Sequence, residues 1–168
     1  MSAFSPTPMS QTFRVAVQVA AGPAGIAAAA DSLARFVVAA GFDPESAWPI
    51  HVALDEVLSN IVRHGGVPGR APQIDVTFAA LEDGLELTIV DDGPEFDPLQ
   101  APEPDFSSPV DQRQPGGLGV HLVKHLMDKV VYARREERNS LVITCRARAV
   151  GPPDRAKERS HGHPPGTP

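Results

Sequence analysis

The chain has 168 residues, 42% of them hydrophobic, a size and composition that fit one domain with a proper core. Its formal net charge is -6 and no long Lys/Arg run occurs, which argues against direct binding of nucleic acid. The single cysteine, Cys145, excludes an intrachain disulfide and a multi-cysteine zinc site, and it suits a reducing cytoplasm, the expected location.

Residues 1–11, "MSAFSPTPMSQ", read as a disordered start, and no Lys or Arg precedes Arg14 as a signal peptide would require. Phe13, Val15, Val17 and Val19 alternate as in a half-buried strand. The uncharged stretch 15–30 that begins there is broken by Gly22, Pro23 and Gly25, so it is no membrane span. Ile26, Ala30, Leu33, Val37 and Ala40 then mark a helix closed by Gly41.

A second helix carries Ile50, Ala53, Leu54, Val57, Leu58 and Ile61 at the spacing of a buried face and ends near "HGG". Beside that face Glu56, Asn60 and His64 recur every fourth residue. At ~100° per residue they drift only ~40° per step and form one polar stripe along the core's edge. Solvation explains most charged helix positions. Asn60 fits solvation least well, because asparagine is a poor helix former next to an apolar face. Its functional reading is an oxygen ligand for a hard cation such as Mg²⁺, with Glu56 as a base.

Ile74, Val76 and Phe78 alternate, "EDG" turns the chain, and Leu85, Leu87 and Ile89 alternate again, a hairpin whose second strand runs into "VDDG". Asp91 falls where that pattern places the interior, and an isolated carboxylate there needs donors. It either caps the following turn or offers an acceptor to a ligand. From Asp92 to Gly117 patterning stops and six prolines intervene, the composition of a lid, about residues 94–117.

Gly116, Gly117 and Gly119 precede the helical pattern "GVHLVKHLMDKV", where backbone N–H groups can face an anion, although a hinge is the plainer reading of this isolated cluster. His121 and His125 stand four apart without the glutamate of a metalloprotease helix. Two strands, around Val130–Ala133 and Leu141–Cys145, close the fold, with Cys145 expected as a buried small hydrophobe. The tail, 148–168, reads as disordered, which leaves one domain over 12–147. The element order predicts an α+β, two-layer sandwich: a mixed sheet with helices on one face.

The order of "LDEVLSNIVRHG", "DDGPEFDP", lid and "GGLG" resembles the ATP-binding domain shared by gyrase, histidine kinases and the mismatch-repair ATPases. Within that superfamily it is most similar to the anti-sigma-factor serine kinases. "DDGPEFDP" lacks the second glycine of the histidine-kinase "DxGxG" motif and carries "FDP", and His51 lacks the neighbours of a phospho-acceptor histidine.

The resemblance implies ATP and Mg²⁺ as cofactors, Glu56 acting at the attacking hydroxyl and Asn60 binding the metal. It implies Arg63 and His64 near the phosphates, and Asp91 accepting the adenine amino hydrogen with Gly93 leaving room for the base. Phe96 belongs to the same motif, and Gly116, Gly117, Leu118, Gly119 and Val120 would wrap the phosphates. Two positions depart from the family: Pro115 stands where some relatives carry an arginine, and Asn139-Ser140 where many have Gly-Thr. Ser140 keeps the hydroxyl and is the residue expected near adenine.

The activity so implied is phosphorylation of an anti-anti-sigma (STAS-type) protein, with sequestration of a sigma factor and a homodimer as further partners. Two alternatives share the fold: a non-catalytic ATP-dependent binding module and a stand-alone histidine-kinase catalytic domain.

Overall fold

The computed structural model describes residues 13–100 and 123–150. The expected N-terminal disorder, most of the lid, Gly116 to Val120, His121 and the tail beyond Val150 lie outside these residues. The elements are β1 (Arg14–Val19), α1 (Pro23–Ala39), α2 (Trp48–His64), β2 (Ile74–Ala80), β3 (Gly84–Asp91), a 3-10 turn at Pro98–Gln100, β4 (Lys129–Arg135) and β5 (Arg138–Arg146). Residues 123–126 are helical.

The strands form one sheet in the order β1-β2-β3-β5-β4, and every neighbouring pair is antiparallel. The expectation of α+β layers holds, but the sheet is not mixed. Tight turns join β2 to β3 and β4 to β5, and between β1 and β2 two helices carry the chain out and back. A parallel pair would need a crossover that carries the chain to the opposite end of the sheet.

Strand alternation places Ile74, Val76, Phe78, Leu85, Leu87, Ile89, Leu141 and Ile143 on one buried face. The helices cover it with Leu33, Phe36 and Val37 from α1 and Ile50, Leu54 and Leu58 from α2. Each such side chain contributes roughly 1.5–3 kcal/mol through burial. Phe13, Phe36 and Phe78 extend this core in a ring series, with centroids 5.2 and 5.7 Å apart.

The end of α1 shows how local sequence shapes the layer. Gly41 takes φ 79°, its N–H donates to Val38 O, and the Phe42 N–H reaches back to Val37 O. This is the Schellman arrangement, and it turns the chain sharply towards α2.

The folded part also runs past its expected end at residue 147. Arg148 donates its backbone N–H to Ser46 Oγ, pairs through its guanidinium with Asp43, and accepts from the Asp43 N–H. Val150 N–H then donates to Gly41 O, so residues 148–150 strap the end of β5 onto the α1–α2 loop. These contacts join residues about a hundred apart in sequence, which periodicity cannot reveal.

Candidate functional site

A cavity of about 400 Å³ opens between α2, the sheet and the segment after β3. Its apolar walls are Val57 and Ile61 of α2, Ile89 of β3 and Leu141 of β5. Ile61 is only partly buried although it continues the core stripe, because it faces this space. Asn60, His64, Asp91 and Asn139 supply polar groups, and Phe96 stands at the rim 56% exposed. An apolar concavity with few convergent polar groups is the usual form of a small-molecule site.

Asp91 is 6% exposed at the end of β3. Its Oδ1 accepts from the Gly93 N–H at 2.9 Å and from Asn139 Nδ2 at 3.0 Å. Its Oδ2 accepts no hydrogen bond from the described residues, and Asp91 lines the cavity. One oxygen thus caps the turn, and the other accepts from no described residue.

The next residue, Asp92, points elsewhere. It accepts from the Gln73 N–H and pairs with Arg70, which fastens the loop after α2; these donors hold its carboxyl below the usual carboxylate range.

Gly93 has a reason that the resemblance does not supply. A Cβ there would meet Gly65 O at 2.8 Å, Gly65 Cα at 3.0 Å and Asp91 Oδ1 at 2.8 Å. The residue is small because the turn abuts the end of α2, and it does not line the cavity. In "FDP", Asp97 accepts from the Leu99 N–H at 2.9 Å and caps the short 3-10 turn that Pro98 opens.

On α2, Asn60 donates its Nδ2 to Glu56 Oε1 at 2.9 Å. The carboxylate fixes the amide's orientation, since only the NH₂ side can donate to it. Asn60 lines the cavity, and its Oδ1 has no partner among the described residues. An oxygen ligand so presented fits Mg²⁺, which is usually held by few protein oxygens together with phosphates. Among the described residues no group of three His, Cys, Asp or Glu side chains could hold a metal alone. Glu56 is half-buried and lies just outside the cavity wall, one helical turn before Asn60.

Two expected residues fall elsewhere. Arg63 lines a separate groove between α1 and α2 with Ile26, Ala30, Ser59 and Val62. Helical rotation of ~100° per residue turns it away from the cavity that its neighbour His64 faces. Ser140 pairs with Val90 on the sheet's other face, so its hydroxyl is not near the site.

The strand's two-residue period gives the inward position to Asn139, which faces Asp91 in register. Asn139 is 6% exposed, and its Oδ1 accepts from Tyr132 Oη at 2.9 Å and Arg134 at 2.8 Å. Burial and the Glu95 carboxylate push the Tyr132 hydroxyl up from its ordinary value. Tyr132 and Arg134 lack any motif of their own. Their signal in the sequence is only that they alternate on β4 towards Leu141 and Asn139.

A family model for the histidine kinase-like ATPase domain matches residues 19–145. The serine/threonine-protein kinase BtrW of Bordetella bronchiseptica is 36% identical over 97 residues, 58% of this chain and 68% of that protein. The serine-protein kinase RsbW of Oceanobacillus iheyensis is 30% identical over 127 residues, 73% of this chain and 80% of that protein. A crystal structure of RsbU and RsbW domains from Mycobacterium tuberculosis superposes with TM-score 0.57 at 16% identity, over 85% of this chain and 33% of that one, a likeness of fold. The open carboxylate at the end of β3, the Asn60–Glu56 pair and these similarities agree: the chain belongs to the histidine kinase-like ATPase domain family, in the branch of the serine-protein kinases.

Proposed function

We propose that the protein is an ATP-dependent serine/threonine protein kinase that phosphorylates a STAS-type antagonist and sequesters a sigma factor, acting in the cytoplasm. The observation that carries the nucleotide site is that Asp91 and Asn60 line one apolar cavity, each with a side-chain oxygen that accepts from no described residue. In this reading Asp91 accepts from the exocyclic amine of adenine, while Ile61, Ile89, Leu141 and Phe96 enclose the base. Asn60 Oδ1 is a ligand of Mg²⁺, which when bound neutralises phosphate charge. Gly116 to Val120 are proposed to cradle the phosphates through backbone N–H groups.

Glu56 has one oxygen engaged by Asn60 and a second that accepts from no other described residue. That second oxygen would take the proton of the acceptor serine hydroxyl as it attacks. General-base contributions are worth ~10²–10⁴-fold in rate.

A second reading, a nucleotide-dependent binding module, has one observation in its favour. Glu56 sits off the cavity wall and holds Asn60, as a purely structural partner would. Phosphotransfer to a purified STAS-type partner separates the two. Glu56→Gln should bind Mg-ATP about as well as wild type yet transfer phosphate ~10²-fold or more slowly, with an acid-stable phosphoserine as the wild-type product. A wild-type protein that binds ATP and partner but labels no serine overturns the kinase reading. An acid-labile product would point instead to histidine phosphorylation.

A further inference from the structure

Asn139 uses all of its hydrogen-bonding capacity inside the protein. Its two amide hydrogens go to Asp91 Oδ1 at 3.0 Å and to Pro94 O at 2.9 Å. Its oxygen takes two donors, Tyr132 Oη and the Arg134 guanidinium. An amide with two donors at one end and two acceptors at the other has a single satisfactory orientation. The guanidinium also polarises the amide, and charge-assisted, chained hydrogen bonds are stronger than isolated neutral ones. Arg134 donates in addition to Gly93 O at 3.2 Å, so the β4–β5 hairpin holds both carbonyls of the turn that follows Asp91.

We propose that Asn139 is the positioning residue that sets base selectivity, by saturating Asp91 Oδ1 and leaving Oδ2 alone to accept from the exocyclic amine of the base. This rests on the nucleotide reading above and assigns a role to a residue outside the motifs.

Without Asn139, Asp91 Oδ1 keeps only the Gly93 N–H, and one bond does not fix the plane of a carboxylate. The group can then turn about its χ2 and take water, so its acceptor no longer meets one point in the cavity. Tyr132 and Arg134 would also lose their shared acceptor. Selectivity should suffer more than affinity, because the apolar walls still enclose any purine while only the aimed oxygen distinguishes an amine.

The test compares ATP with purine riboside 5′-triphosphate, which lacks the 6-amino group, by calorimetric titration of the full chain. Wild type should favour ATP about tenfold or more, the scale of a hydrogen bond to a charged group. In Asn139→Ala the preference should shrink to about threefold or less. Tyr132→Phe removes one of the two groups that orient the amide while keeping the ring, so it guards against loss of folding in the first variant. It should give an intermediate ratio.

Equal weakening of both ligands in the variants, with the wild-type ratio kept, would show a merely structural role and overturn the proposal. A wild-type protein that binds both nucleotides but does not distinguish them would remove the premise that Asp91 reads the base. A wild-type protein that binds neither defeats the nucleotide reading itself.

Discussion

Asp91 and Gly93 share one steric problem. A buried carboxylate is tolerable only because two N–H groups reach Oδ1, and one of them belongs to Gly93. Adding a methyl group at Gly93 drives it into Gly65 O and the carboxylate itself, both at 2.8 Å. Two of the contacted atoms are backbone, so the turn must shift as a whole. Gly93→Ala should cost roughly 1–3 kcal/mol of stability, the range for overpacking a tight contact, and weaken ATP binding as Asp91 moves. Urea unfolding of the two proteins reads the first effect; an unchanged midpoint would mean that the turn and the end of α2 separate freely.

At this scale the sequence told more about identity than about direction. The stripe of Glu56, Asn60 and His64 was legible because helical geometry is regular, and the structure joins the first two and puts the last two on the cavity. Asp91 was legible as a polar residue at an apolar position. The hydroxyl favours Ser140 in the sequence, whereas the register of β5 against β3 decides which of two adjacent residues faces in. A shift of one residue exchanges the faces of a strand.

The β4–β5 hairpin places two non-glycine residues in the left-handed region. Glu136 and Glu137 form its two-residue turn with φ of 49° and 62°. Positive φ at both positions is what a type I′ turn requires, and Asn-Gly meets the requirement far better than two glutamates. Glu137→Gly should therefore stabilise the protein by roughly 0.5–1 kcal/mol, a rise in melting temperature measurable by calorimetry. A fall in that temperature would show that the glutamate side chain compensates for its backbone. The hairpin carries Tyr132, Arg134 and Asn139, so a firmer turn should also leave base selectivity intact.

Helix α2 supplies the pH dependence. His51 lies in its early part and is half-buried, and desolvation lowers its pKa from the ordinary 6.5. The unfolded chain therefore takes up a proton near pH 6.5 that the folded chain refuses until lower pH. Stability should fall as pH drops through that window and stop falling on this account below the folded value. Urea midpoints between about pH 7.5 and about pH 5 should decline more steeply in wild type than in His51→Gln. Parallel slopes would mean that the ring is solvated in the folded protein.

The helices and the hairpins were legible from period and turn residues, and their buried faces follow those patterns closely. The strap at residues 148–150 was not. It depends on Asp43, Ser46 and Gly41, placed beside the end of β5 only by the folded chain.

At the scale of the whole molecule, an antiparallel sheet covered on one face leaves a gap where α2 diverges from β3 and β5, and the polar stripe borders that gap. The family to which the chain belongs is an ATPase domain family. In the proposed reading, the sheet would supply the base-reading carboxylate, α2 the metal ligand and the adjacent glutamate, and the segment after β3 the rim. The central claim is that this cavity binds a nucleotide through its base and, with Mg²⁺, through its phosphates. Calorimetric titration of the full chain with ATP and GTP, each with Mg²⁺ and with EDTA, tests it most directly. The expected result is ATP binding at least tenfold tighter than GTP, because guanine presents an oxygen to Asp91 where adenine presents a donor, and clear weakening when the metal is removed. Equal affinity for ATP and GTP, or affinity indifferent to Mg²⁺, would contradict it.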